Sequence, residues 1–115
     1  MRLFSVGGLS DPVLSVVKME KELQFSASEP FFAGHFPGRP VVPGVMLIDR
    51  AVSAARELLG RDAVLEGIGK VKFSNPVLPD EIIHLRMELR SETVVAYSFL
   101  KDGTACASGV LRFRG

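Results

Sequence analysis

Apolar and polar positions change period along this chain, and the changes mark its elements. The clearest signal is Val45 to Leu59, where apolar residues recur at helical spacing. At about 100° per residue, Val45, Ile48, Val52, Ala55 and Leu59 share one side, and Leu47, Ala51, Ala54 and Leu58 widen it. Asp49, Arg50, Ser53, Arg56 and Glu57 form the narrow opposite stripe. The spacing predicts a helix over 45–59 that is more buried than an ordinary surface helix, as if a sheet wrapped it. Gly60 supplies its stop.

Before this helix the signals are weaker. Residues 1–12 hold two glycines and end in Asp11-Pro12, which reads as a loose lead-in. Apolar, β-branched residues from Val13 to Met19 predict one strand, and the alternation from Leu23 to Ala27 predicts a second. After Gly60 the period becomes two. Val64 to Phe73 reads as a strand, with Gly67 and Gly69 inside it marking a bulge or a close backbone approach. From Glu81 to Arg90, Ile83, Leu85, Met87 and Leu89 face one way and Ile82, His84, Arg86 and Glu88 the other. Thr93 to Leu100 and Thr104 to Phe113 are strands joined by an Asp102-Gly103 hairpin turn. Two strands, one long helix and four antiparallel strands predict one α+β domain over 1–115. One helix cannot cover both faces of such a sheet. The sheet must curl round it and needs another subunit at its edge or face.

Composition narrows the function classes. The chain has 115 residues, is 47% hydrophobic and carries a formal charge of +1. No field of one sign favours nucleic acid or a membrane surface. The lone Cys106 excludes an intrachain disulfide, and no zinc-ligand spacing occurs, so no metal is expected. The apolar runs are short and interrupted, which predicts neither a signal peptide nor a membrane span and leaves the cytoplasm as the expected location.

Candidate chemistry concentrates in one stretch, residues 31–49, FFAGHFPGRPVVPGVMLID. His35 sits in a loop, where a lone histidine reads as structural or merely exposed; Pro37 and Pro40 stiffen that loop as if the ring were being aimed, and histidine exchanges protons near neutral pH. Asp49 follows on the next helix. Taken alone it reads as a solvated acid near a helix N-terminus, where the dipole favours it. Gly44 is most simply a turn residue, but at a helix start its N–H could meet an anion or oxyanion. His84 reads as solvated, and Cys106, among small residues, as buried packing.

The run Gly34-His35-Phe36-Pro37-Gly38-Arg39-Pro40-Val41-Val42-Pro43-Gly44-Val45 resembles the signature of the β-hydroxyacyl-[acyl carrier protein] dehydratases, a hotdog-fold family. A second block, Lys72-Phe73-Ser74-Asn75-Pro76-Val77-Leu78-Pro79-Asp80, is similar to that family's strand and turn after the central helix. The resemblance implies a hotdog fold, a curled antiparallel sheet around one central helix. It implies dehydration of a 3-hydroxyacyl thioester on acyl carrier protein to the trans-2-enoyl thioester, without metal or organic cofactor. His35 and Asp49 fall on the catalytic pair. Gly44 falls on the N–H donor to the thioester oxygen, and Phe36, Val45 and Ser53 on positions beside the substrate. It further implies a homodimer, or a higher oligomer built from it, in which His35 of one subunit works beside Asp49 of the other. Asp49 is the shorter acid where glutamate is commoner, Ser53 stands where glutamine is frequent, and Arg50 where a small residue is usual. With its short length, the chain looks closer to the small dehydratases of specialised polyene or pigment pathways. The competing readings are a hotdog thioesterase, which does not need His35 on its loop, and a non-catalytic acyl-binding module.

Overall fold

The computed structural model describes residues 2–6, 16–29 and 41–114. Within them lie β1 (Arg2–Val6), β2 (Val16–Gln24), α1 (Gly44–Leu59), β3 (Val64–Phe73), β4 (Ile82–Leu89), β5 (Val94–Lys101) and β6 (Thr104–Arg114). The strands form one antiparallel sheet in the order β1-β2-β4-β5-β6-β3. The chain therefore leaves β2 near one edge, runs through α1, and re-enters at the opposite edge as β3. A curled sheet with one central helix is the hotdog architecture the sequence implied.

Alternation decides which sheet face meets the helix. Ile83, Leu85 and Met87 of β4, Val95, Tyr97 and Phe99 of β5, and Leu111 and Phe113 of β6 are buried. They join Met19, Leu23 and Phe25 in one core with Leu47, Ala51, Ala54 and Ala55 of α1. Fully burying a side chain such as Phe99 or Leu111 is worth about 1.5–3 kcal/mol, so this shared face fixes the register. The three alanines give the helix's buried side little volume, and the larger side chains of the sheet fill the core around them. Asp102 and Gly103 take φ of 50° and 81°, the left-handed pair that a two-residue hairpin turn requires.

Three features depart from the sequence reading. The expected loose lead-in contains β1, which pairs with β2 from Arg2 opposite Glu20 to Val6 opposite Val16. The two expected strands over 13–19 and 23–27 are one strand of nine residues, Val16–Gln24. The charged run Glu20-Lys21-Glu22 suggested a break, but Lys21 sits on the inward parity and its Nζ reaches Glu57 of α1 at 3.7 Å. The ion pair lets a charged residue occupy the helix-facing row. Third, the buried stripe of α1 is offset from the predicted one. Leu47, Ala51, Ala54 and Ala55 are buried, whereas Val45 is 68% exposed.

β3 differs from the other strands. It ends the sheet, its register shifts between Leu65 and Gly67 and again between Gly69 and Lys72, and Val64, Ile68, Val71 and Phe73 are exposed. The glycines mark a bulged strand, as their spacing suggested.

Candidate active site

The start of α1 is built without a cap. Pro43 occupies the N-cap position with φ −59° and ψ 141°, and no side chain among the described residues accepts from the first turn. The Met46 N–H donates to the Pro43 carbonyl at 2.9 Å. The Gly44 and Val45 N–H groups donate to no acceptor among the described residues. Two donors at the positive end of a 16-residue helix are thus left for an external oxygen.

A cleft of about 370 Å³ opens beside this terminus, lined by Val41, Val42, Gly44 and Leu47 on one side and by Phe73 to Val77 on the other. Its walls are anchored. The Val42 N–H donates to the Val77 carbonyl at 2.8 Å, and the Ser74 N–H to the Cys106 carbonyl at 2.8 Å. The Asn75 side-chain amide donates to the Ala105 carbonyl at 2.7 Å. Beyond the cleft, the Leu78 N–H donates to the Glu81 carboxylate at 2.7 Å, and Lys101 pairs with that carboxylate at 3.0 Å. The Leu78 N–H, and then Lys101, hold the Glu81 carboxyl below the usual carboxylate range, against some desolvation. The phenyl ring of Phe73 presses on the helix start, where a methyl on Gly44 would lie 2.6 Å from Cζ and 2.8 Å from Cε1. Position 44 therefore admits only glycine while that ring stays in place.

The structure groups three of the predicted residues. Val45, Asp49 and Ser53 are spaced i, i+4, i+8, so they stack along one stripe, and all three are exposed. Half-buried Ile48 and Val52 flank the stripe. An acid thus lies among apolar side chains on the helix surface turned away from the core. Arg50, next to it, is drawn inward, with its guanidinium 4.9 Å from the centre of the Phe25 ring. The Gly44 cleft and the Asp49 stripe are different sides of one helix. Five residues separate them, about 140° around the axis. His35 and Phe36 lie outside the described residues.

The residues set aside by sequence behave as expected. His84 is exposed. Cys106 is 1% exposed, and burial pushes its thiol pKa up, so it is held as the unreactive thiol. Sequence reasoning did not find the second wall of the cleft. The block from Lys72 to Asp80 was visible, but its contact with the helix start was not, because strand and helix meet only through the fold. An exposed aromatic closing a bulged strand, just before a Pro-rich turn, was the available signal.

Among the described residues no helix is long and apolar enough to cross a membrane, and no group of three or more His, Cys, Asp or Glu could hold a metal ion.

Comparison with known proteins gives one answer at three levels. The model of the ApeI-like family, described as ApeI dehydratase, matches residues 15–110. The 3-hydroxyacyl-[acyl-carrier-protein] dehydratase FabZ of Ruminiclostridium cellulolyticum is 36% identical over 99 residues, covering 76% of this chain and 70% of that protein. The FabZ of Chlamydia trachomatis is 46% identical over 70 residues, covering 53% of this chain and 46% of that protein. The chain thus spans about half the length of some curated relatives it matches. Among solved structures, the dehydratase heterocomplex ApeI:P from Xenorhabdus doucetiae superposes with a TM-score of 0.75 at 22% identity, covering 100% of both chains. The (R)-hydratase from A. caviae involved in PHA biosynthesis also superposes, with a TM-score of 0.63 at 18% identity, covering 84% of this chain and 94% of that one. At these identities the structures speak for the fold.

Proposed function

The chain belongs to the ApeI-like dehydratase family, and from that premise we propose that it removes water from a 3-hydroxyacyl thioester carried on acyl carrier protein, giving the trans-2-enoyl thioester. The observation that carries this reading is the uncapped helix start, where Gly44, whose N–H has no acceptor among the described residues, lines an apolar cleft. A thioester oxygen bound there is polarised by the N–H and the helix dipole, which acidifies the C2 proton. His35 takes that proton. The electron pair moves through the enolate-like intermediate, the bond from C3 to oxygen breaks, and Asp49 protonates the departing hydroxyl, which leaves as water. Proton and hydroxyl leave from adjacent carbons, so no oxidant or reductant is consumed.

The site is shared between two copies of the chain. The turn of about 140° between Gly44 and Asp49 points the acid away from its own cleft, which supports a homodimer in which each cleft receives Asp49 from the partner. The edge strand β3, with Val64, Ile68, Val71 and Phe73 exposed, offers apolar surface for that second copy. Val45 and Ser53 share the stripe with Asp49 and would border the acyl group there.

Mass spectrometry of the protein incubated with 3-hydroxyacyl carrier-protein thioesters of several lengths tests the reaction. Loss of water from the acyl group is the expected result. Release of the free acid would indicate a thioesterase, and an unchanged but retained acyl group a binding module; either excludes dehydration as the activity.

A further inference from the structure

We infer that Phe73 decides which acyl groups reach the start of α1, admitting 3-hydroxyacyl thioesters unbranched at C2 and rejecting those with a methyl there. The inference deepens the dehydratase reading and rests on it. Its starting observation is a ring in an unusual place. Phe73 is 54% exposed in the single chain, yet its tip lies against the Cα of Gly44. Its root is fixed, because Phe73 pairs with Ala107 in the ladder and the next residue donates to the Cys106 carbonyl at 2.8 Å. The ring thus stands as a wall beside the free N–H of Gly44.

An acyl oxygen at hydrogen-bond distance from that N–H, about 2.9 Å, places C2 on the order of 5 Å from the Gly44 nitrogen. A substituent on C2 that points toward β3 enters the volume of the ring. Three of the other apolar walls are rooted in the core and cannot yield: Val42 is 6% exposed, Leu47 3% and Val77 1%. Phe73 is the lining aromatic whose removal opens space without emptying the core. A single methyl in such a pocket is worth about 10–200-fold in discrimination.

The test compares wild type, Phe73→Ala and Phe73→Tyr on two carrier-protein thioesters, a straight 3-hydroxyacyl group and its 2-methyl counterpart. The quantity read is the ratio of kcat/KM for the branched over the straight substrate, with a melting curve recorded for each variant. Wild type is expected to favour the straight substrate, Phe73→Ala to raise the ratio at least about 10-fold, and Phe73→Tyr, which keeps the ring, to leave it low. A wild type that accepts both equally, or a Phe73→Ala variant that lowers both equally or changes neither, overturns the inference while leaving dehydration intact. A wild type that dehydrates neither overturns the functional reading and this inference with it.

Discussion

Replacing Gly109 by Ala measures how tightly the inner face of β5 and β6 is packed. Gly109 stands opposite Tyr97 in the β5–β6 ladder. The Tyr97 ring lies across it, so a methyl there would fall 2.5 Å from the hydroxyl oxygen, 2.7 Å from Cζ and 2.8 Å from Cε2. Tyr97 cannot step aside. It is 2% exposed and packs edge-on against Phe99 with ring centres 5.9 Å apart. Forcing an extra carbon into such a core costs about 1–3 kcal/mol. Taking about 2 kcal/mol, and about 3–6 °C per kcal/mol for a chain of this size, Gly109→Ala lowers Tm by about 6–12 °C. Thermal and urea unfolding of the single and double variants read this directly. Tyr97→Phe removes the closest atom, so Gly109→Ala should cost less in that background, with a coupling of about 0.5–1 kcal/mol. A Gly109→Ala protein within about 0.5 kcal/mol of wild type, or a cost unchanged by Tyr97→Phe, would refute the packing reasoning. Gly44→Ala is the contrasting case, because its obstacle, the Phe73 ring, is exposed and lies outside the core. It should lower Tm less than Gly109→Ala does, yet crowd the cleft and lower activity.

Asp49→Asn and His35→Ala should each lower dehydration by at least about 100-fold, while their double variant is little worse than either and His84→Ala stays near wild type; steady-state kinetics on one thioester checks all four. The Tyr97 hydroxyl is buried without a partner among the described residues, and burial raises its pKa above the usual tyrosine value. Its contribution to stability is therefore complete below the unfolded pKa of about 10 and is lost as pH rises through the folded value, so urea midpoints above that pH should fall less for Tyr97→Phe than for wild type. Glu81 runs the other way. Its lowered pKa gives stability that is present above its unfolded value and lost as pH falls through the folded one. Glu81→Gln should flatten the acid limb of a Tm-against-pH curve, and an unchanged limb would count against the Leu78 and Lys101 contacts.

Much of the fold was legible because periodicity reports burial. The alternation of Ile83, Leu85 and Met87 marks β4, and the turn at Asp102-Gly103 marks the β5–β6 hairpin, in the sequence alone. The helix was legible in extent but not in facing. Its apolar arc was broad enough to allow several orientations, and only packing chose Ala51, Ala54 and Ala55 over Val45 for the core. β1 was missed because its stability comes from pairing with β2, which no local pattern records. The strand break near Glu20 was misplaced because an ion pair to Glu57 made a charged residue acceptable inside. At the site, Asp49, Val45 and Ser53 were found by resemblance and fall on one stripe through simple helical spacing. Phe73 was not found as a site residue, since its position over Gly44 depends on two segments distant in sequence.

The most direct measurement is complementation between two inactive proteins. His35→Ala and Asp49→Asn chains are mixed, unfolded and refolded together, and assayed for enoyl thioester formation. In a dimer whose sites each take His35 from one chain and Asp49 from the other, every mixed dimer regains one intact site of two. A random equal mixture should therefore recover about one quarter of wild-type activity. No recovery, with mixed dimers demonstrated by native mass spectrometry, would contradict a dehydration site shared between two chains.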